Sequence, residues 1–275
     1  MRVPILTYHA VNIAGNDYAS NDHVAFAADL EMLHATGWRI VPLHWIVEQR
    51  LGKADRDLRR CVALTCDDGS DFDYHDLDHP QHGRQRSLYN LLLDFRARHG
   101  RAAQPDLHLT VFAIADPSAR TAMDRACLIG HDWMQEHWWR AAQSSGLVAI
   151  ENHSWDHNHP CLANPGPAGL VRGDFHDVTT DAKADHEIRQ AQDYLAARLA
   201  PHRPSLFCYP FGHVNAFLAD DWLPRNGEAI GLAAAFGDGA QPATTQSHRW
   251  NIPRYICGWH WKSPAELAAI LDQAA

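Results

Sequence analysis

The sequence predicts an α/β fold built on one (β/α) barrel, distorted or incomplete, whose strands are mostly parallel. Short apolar runs alternate along the chain with stretches of helical periodicity. Such alternation is typical of a parallel sheet that helices cover on both faces. About seven or eight of these units follow one another without an internal repeat or a linker-like boundary, which favours one barrel domain over residues 1–275.

Each predicted strand is a short apolar run between turn-forming residues, and the run at 61–65 is apolar enough to be buried on both faces. In chain order, the predicted strands are 3–8, 38–43, 61–65, 107–114, 147–151, 205–209, 232–236 and 252–257.

Each predicted helix places apolar residues three or four positions apart, and most of these helices end at a glycine. In the first helix, Phe26, Leu30 and Leu33 lie on one face and Gly37 ends it. The later predicted helices are 45–51, 87–99, 132–145, 181–199 and 264 to the end of the chain.

Charge and hydropathy argue against nucleic acid as the main partner and against a transmembrane segment. The formal net charge is −9 at pH 7, whereas binding to nucleic acid depends on clustered Lys and Arg. No run approaches the ~18 apolar residues of a transmembrane helix. The first residues lack a signal-peptide pattern, so we expect a cytoplasmic protein if Met1 is the natural start.

Polar residues that can bind a metal directly follow three of the predicted strands. Asp67 and Asp68 follow the strand at 61–65, and two adjacent carboxylates need a compensating charge, usually a divalent cation. His153 and His157 follow the strand at 147–151, and a spacing of four places both on one side of a helical turn. Because barrel active sites lie at the carboxyl ends of strands, we expect these side chains to converge.

The order of the motifs resembles the polysaccharide deacetylase family, also called the NodB-homology family. The matching segments are Thr-x-Asp-Asp-Gly at 65–69, His-Ser-x-x-His at 153–157 and Tyr-Pro-Phe-Gly at 209–212. The opening at 4–11 and Ile-Pro-Arg at 252–254 also resemble members of the family, so that the resemblance spans nearly the whole chain.

The resemblance implies a role for each matching residue. Asp68, His153 and His157 are the expected ligands of one divalent metal, usually zinc, although this donor set does not separate zinc from cobalt or nickel. Asp67 is the expected general base, and the backbone N–H of Phe211 is the expected oxyanion donor. The other residues of the third motif, Tyr209, Pro210 and Gly212, are expected to bind substrate.

The sequence departs from the family pattern in the groups that assist the base and the leaving amine. The third motif lacks the arginine that often pairs with the catalytic Asp, and we predict that the Arg254 guanidinium contacts the Asp67 carboxylate instead. The usual leucine-x-x-histidine near the C-terminus is not recognisable. His9 and His260 are the contenders for the general acid, and Trp155 is the predicted platform for a sugar ring.

An acidic, histidine-rich loop at 71–80 follows the first motif and is predicted to shape the substrate site. Within it we expect Asp71, Asp73 and His75 to be solvated, with a second cation as the alternative.

These residues predict a metal-dependent hydrolase that removes an N-acetyl group from a carbohydrate, with an O-acetyl group as the less favoured alternative. The alternative enzyme is a hydrolase of a non-peptide C–N bond in a small cyclic amide or ureide. A protein that only binds glycans is a third hypothesis, disfavoured because Asp67 is present. Neither the sugar nor the oligomeric state can be read from the sequence.

Overall fold

The computed structural model describes all residues, 1–275. A curved sheet forms its centre, and every strand pair in that sheet is parallel. The strands of the protein are β1 (Arg2–Val3), β2 (Ile5–Tyr8), β3 (Arg39–Ile40), β4 (Cys61–Cys66), β5 (Leu77–His79), β6 (Gly83–Gln85), β7 (Leu109–Ala113), β8 (Val148–Asn152), β9 (Leu206–Cys208), β10 (Ala234–Phe236), β11 (Ala243–Thr244) and β12 (Tyr255–Ile256).

The central sheet has the order β10-β9-β8-β7-β4-β2-β12, and β3 pairs with the start of β4. The predicted barrel of mostly parallel strands, distorted or incomplete, is therefore confirmed. The segment that ends in β12 connects the two edges of the sheet. Ile252 pairs with Phe236 of β10, and Tyr255 pairs with Leu6 of β2. Arg254 lies between these two points, at the seam of the barrel.

Helices surround the sheet. They are α1 (Asp22–Ala35), α2 (Leu43–Arg50), α3 (Leu88–His99), α4 (Pro117–Cys127), α5 (Trp139–Ser144), α6 (Asp181–Ala184), α7 (Gln190–Leu199), α8 (Leu223–Asn226) and α9 (Pro264–Asp272). A π-helical stretch at Asp185–Arg189 joins α6 to α7, so that the long helix predicted at 181–199 is continuous but not uniformly α-helical. None of the helices has both the length and the apolar character that a membrane span requires.

Alternating side chains of the strands belong to two different parts of the core. Leu6 and Leu64 pack in the outer cluster, together with Phe26 of α1 and Phe95 of α3. Ile5, Ala63 and Phe112 belong to a second cluster that fills the barrel interior. This alternation follows from the twofold period of a strand. Because the interior is filled, a ligand has no room inside the barrel itself.

Some predicted elements differ from the structure. The helix predicted at 132–145 is limited to Trp139–Ser144, and α4 was not predicted. Asp116 caps α4 through its contact with the N–H of Ser118, and Pro117 occupies the first turn. The strand predicted at 38–43 is only Arg39–Ile40, because the chain turns at Pro42 into α2.

The prediction that Asp71 and Asp73 are solvated is wrong. They are 4% and 2% exposed and flank Phe72 in a short 3-10 turn. The ring of Phe72 packs edge-on against Trp133, with 5.2 Å between the ring centroids, and its burial brings both carboxyl groups inside. His75, the third residue in that prediction, is half-buried and stacks on His137.

Candidate active site

A cavity of about 620 Å³ lies at the carboxyl ends of β4, β8 and β9 and beside the β12 segment. The sequence-predicted residues that line it are Asp67, Asp68, His153, His157, Phe211, Gly212, Arg254 and His9. Three motifs that are far apart in the chain therefore meet in one place, as expected for the open end of a (β/α) barrel.

The chain turns sharply after β4 and so presents two adjacent carboxylates to the cavity. Asp68 has φ of 78° and Gly69 has φ of 74°. A Cβ atom at Gly69 would lie 2.7 Å from the Cβ of Ala113 in β7, so only glycine fits there. The backbone N–H of Asp67 still donates to the carbonyl of Tyr8 at 3.0 Å, which keeps this residue in register with β2.

Asp68, His153 and His157 bring three potential metal ligands together. The Asp68 Oδ1 atom lies 3.6 Å from His153 Nε2 and 3.8 Å from His157 Nε2. Tetrahedral coordination at ~2.0–2.2 Å needs ligand atoms about 3.4 Å apart, close to these values. His153 Nδ1 donates to the carbonyl of Cys208 at 3.0 Å, which leaves the lone pair of Nε2 directed at Asp68.

Both histidines are in the neutral form that a metal requires. Burial lowers the pKa of His153 below its ordinary value. Burial, and then the neighbouring His153 and His159, lower the pKa of His157 further. The three side chains thus fit a divalent cation in donor type, spacing and protonation.

The segment that holds the two histidines is not the helical turn that their spacing predicted. Ser154 and His157 have φ of 70° and 62°, which are left-handed values outside the helical region. The Ser154 hydroxyl accepts the N–H of His157 at 2.9 Å, and Arg172 binds the Asp156 carboxylate at 2.7 Å. These contacts hold a bent loop in which the imidazoles still converge.

Asp67 is held by two parallel hydrogen bonds from Arg254. Nη1 of Arg254 donates to Oδ1 and Nη2 donates to Oδ2, both at 2.8 Å, so the contact predicted from the sequence is present. Burial alone raises the pKa of Asp67, but the Arg254 guanidinium is the largest influence that lowers it, and the net pKa lies well below its usual range. Asp67 is therefore an ionised carboxylate at neutral pH, as a general base must be.

Cys208 contacts the same ion pair, and sequence reasoning missed this role. Its sulfur lies 2.8 Å from Arg254 Nη2 and 3.6 Å from Asp67 Oδ2. Cys208 ends β9 with its side chain inside the barrel. Its place directly before the third motif, near where members of the family often have an arginine, was the available signal.

The third motif contributes only two of its residues to the cavity. Phe211 has φ of 59°, is 40% exposed and packs edge-on over His157. Gly212 lies against Asp238, where a Cβ atom would come within 2.6 Å of the carboxyl carbon. Tyr209 and Pro210 are buried and do not line the cavity, contrary to the predicted binding role. The Tyr209 hydroxyl instead donates to the carbonyl of Trp250.

The structure separates the two contenders for the general acid. His9 lines the cavity, and its buried Nδ1 atom has no hydrogen-bond partner. His260 does not line the cavity, and its Nδ1 atom accepts the N–H of Ile256. Proximity thus favours His9.

The predicted aromatic platform lies elsewhere. Trp155 does not line the cavity, since it packs edge-on against Tyr194 with ring centroids 5.6 Å apart. Trp259 lines the cavity and is 80% exposed, an unusual exposure for so large an apolar ring. The signal that could have found it is its position five residues after Arg254, just beyond the β12 strand end.

The barrel thus carries, at its open end, a donor set that could hold one metal ion beside a buried carboxylate. Residues 54–221 match the model of the family described as polysaccharide deacetylase, and the chain belongs to that family. It is thereby a member of a family of hydrolases that deacetylate carbohydrates. The match includes Asp67, Asp68, His153, His157 and Phe211 but ends before Arg254.

Several solved structures share the fold. The deacetylase PplD of Streptococcus pyogenes, in complex with acetate, is 18% identical, with a TM-score of 0.62 over 98% of each chain. A de-N-acetylase from Aggregatibacter actinomycetemcomitans is 14% identical, with a TM-score of 0.65 over 98% of this chain and 100% of its own. IcaB from Ammonifex degensii is 16% identical, with a TM-score of 0.59 over 99% of this chain and 97% of its own. A comparison with curated proteins found no match.

Proposed function

We propose that this protein is a metal-dependent deacetylase that hydrolyses the N-acetyl group of an acetylated carbohydrate, with zinc as its metal. The observation that supports this most strongly is one arrangement of five side chains. Asp68, His153 and His157 converge on a common point, and the ionised Asp67 lies beside them, held by Arg254. Ligands, base and positioning cation therefore occupy one cavity.

The contacts of each residue indicate its role in the reaction. A divalent cation held by the three ligands would polarise the acetamide carbonyl and acidify a water molecule. Asp67 is next to a ligand without belonging to the ligand set, so it can accept the proton of the attacking water. Arg254 keeps that carboxylate ionised and fixes its orientation, because its two bonds are parallel.

The remaining steps need a donor for the oxyanion and a proton for the amine. The left-handed turn at Phe211 lies at the cavity wall, and its backbone N–H is our proposed donor to the carbonyl oxygen as that atom becomes negative. His9 faces the same cavity and is our proposed proton donor to the nitrogen when the C–N bond breaks. The products are acetate and a free amine.

The cavity itself supports a sugar as substrate. The exposed ring of Trp259 forms part of the cavity wall, and an indole presents a flat apolar face to the C–H groups of a pyranose. Phe211 offers a second half-exposed ring near the ligand His157. An N-acetyl rather than an O-acetyl group is the preferred target, consistent with the de-N-acetylase among the structural neighbours.

The test is acetate release from N-acetylated and O-acetylated sugars, measured together with metal content. We expect the wild-type protein to retain one equivalent of zinc and to release acetate from the N-acetylated substrates. His153→Ala should lose both properties, whereas His202→Ala, at an exposed histidine away from the cavity, should lose neither. A fully metal-loaded, folded protein that releases no acetate from any acetylated sugar would contradict the proposal.

A further inference from the structure

Two exposed cysteines and a histidine meet at the rim of the active-site cavity. Cys127 is the last residue of α4, and His159 and Cys161 follow the ligand His157. Their two sulfurs and a ring nitrogen all lie within 4.8 Å of one another, and Cys127 and His159 line the cavity. The other four cysteines are buried, and none of the six is in a disulfide.

The contacts of His159 indicate which chemistry this cluster supports. The backbone N–H of Cys161 donates to His159 Nδ1 at 3.2 Å. In the neutral ring, the hydrogen must then be on Nε2, which lies 3.9 Å from the sulfur of Cys127. A protonated Nε2 offers no lone pair to a metal but can donate a hydrogen bond to a thiolate. The arrangement therefore favours thiol chemistry over a second cation.

We propose that Cys127 and Cys161 are a site of reversible oxidation, with hydrogen peroxide as the oxidant. In the first step, the Cys127 thiolate attacks one peroxide oxygen. The O–O bond breaks, the sulfur is oxidised to a sulfenic acid, and the other oxygen leaves as hydroxide. In the second step, the Cys161 thiolate attacks the sulfenic sulfur, the S–S bond forms, and the sulfenic oxygen leaves as hydroxide. With the two thiol protons, both hydroxides become water.

This bond would connect two parts of the chain that frame the cavity. Cys127 ends α4, whose residue Met123 also lines the cavity, and Cys161 is four residues beyond the ligand His157. An exposed thiol with a second thiol close by is the usual arrangement of a redox-sensitive pair. The proposal goes beyond the deacetylase function and does not depend on it, because it concerns the cysteines alone.

The experiment is peptide mapping by mass spectrometry after treatment of the metal-loaded protein with hydrogen peroxide. We expect a peptide pair joined through Cys127 and Cys161, lighter by two hydrogens, which dithiothreitol separates again. In Cys161→Ser, the sulfenic acid on Cys127 should persist and be labelled by dimedone. His159→Leu should slow the cross-linking several-fold, whereas His202→Ala should leave its rate unchanged.

Two results would overturn the proposal. One is that both thiols remain free at peroxide concentrations that oxidise an exposed thiol on a reference peptide. The other is that the wild-type protein shows a thiolate-to-cobalt absorption band on addition of Co²⁺, which Cys127→Ser lacks. The proposed catalytic ligands include no thiolate, so that band would assign the cluster to a metal.

Discussion

The ion pair between Arg254 and Asp67 should control the acidic side of the pH–rate profile. Both groups are almost fully buried, with exposures of 1% and 5%. Burial raises the pKa of Asp67, and the Arg254 guanidinium is the largest opposing influence. Arg254→Lys keeps a positive charge but cannot make two parallel bonds. Arg254→Met removes the charge as well, so that burial becomes the main influence on the pKa of Asp67.

The size of the effect follows from the bonds that are lost. A hydrogen bond to a charged group contributes ~1.5–3 kcal/mol, and one pKa unit corresponds to ~1.4 kcal/mol. Loss of one of the two bonds in Arg254→Lys should therefore raise the pKa of Asp67 by about 1–2. Loss of both in Arg254→Met should raise it further, above the ordinary value for an aspartic acid, and should leave the base protonated at neutral pH.

The assay is kcat/KM for acetate release as a function of pH, with the metal content and the melting temperature of each variant measured in parallel. The acidic limb of the pH–rate profile should lie at higher pH in Arg254→Lys than in the wild type, and at higher pH still in Arg254→Met. Arg225→Lys is the matched control, since Arg225 makes a similar two-bond contact with Asp221 on the exposed surface. If the wild type and both Arg254 variants have the same acidic limb, and all three are folded and hold metal, Arg254 does not control the pKa of Asp67.

Three further predictions address the base, the substrate wall and stability. Asp67→Asn should retain metal but reduce kcat by ~10²–10⁴, because it removes the proton acceptor and no ligand; near-native turnover would reassign the base. Trp259→Ala should raise KM about twofold to tenfold, the worth of ~0.5–1.5 kcal/mol of ring stacking, whereas Trp155→Ala should leave KM unchanged; equal KM values would remove Trp259 from the substrate site. Burial raises the pKa of Glu151 to about 8, despite two backbone N–H donors, so the unfolding free energy should fall as the pH rises from about 4.3 to about 8. Glu151→Gln should remove that decline in urea titrations, and an unchanged pH dependence would show that Glu151 is not its cause.

The local pattern of the sequence was enough to predict the parallel barrel and the residues that could hold a metal. Strand β4 is a continuous apolar run, and Asp67 and Asp68 follow it directly. A strand end exposes whatever comes next, so the polar residues there must face the open end of the barrel. His153 could be predicted in the same way from β8.

Contacts between distant segments decided which side chains are buried and which line the cavity. Trp155 and Trp259 are the same residue type, yet Trp155 packs against Tyr194 and His186 while Trp259 lies in the cavity wall. Asp71 and Asp73 have the composition of a solvated loop, yet Phe72 takes both into the interior. Burial depends on which surfaces meet, which residue order alone does not specify.

The sequence by itself determined the family, the donor types and the need for a cation near Asp67, because these depend on residue chemistry and on neighbours along the chain. The sequence also pointed to Arg254 as that cation, but only the tertiary structure shows its two parallel bonds to Asp67 and shows that His9, not His260, faces the cavity. Arg254 is 187 residues from Asp67, and closure of the barrel between β10 and β2 brings the two groups together. The distance between such side chains is set by strand pairing across the whole sheet, so it becomes defined only when the sheet closes.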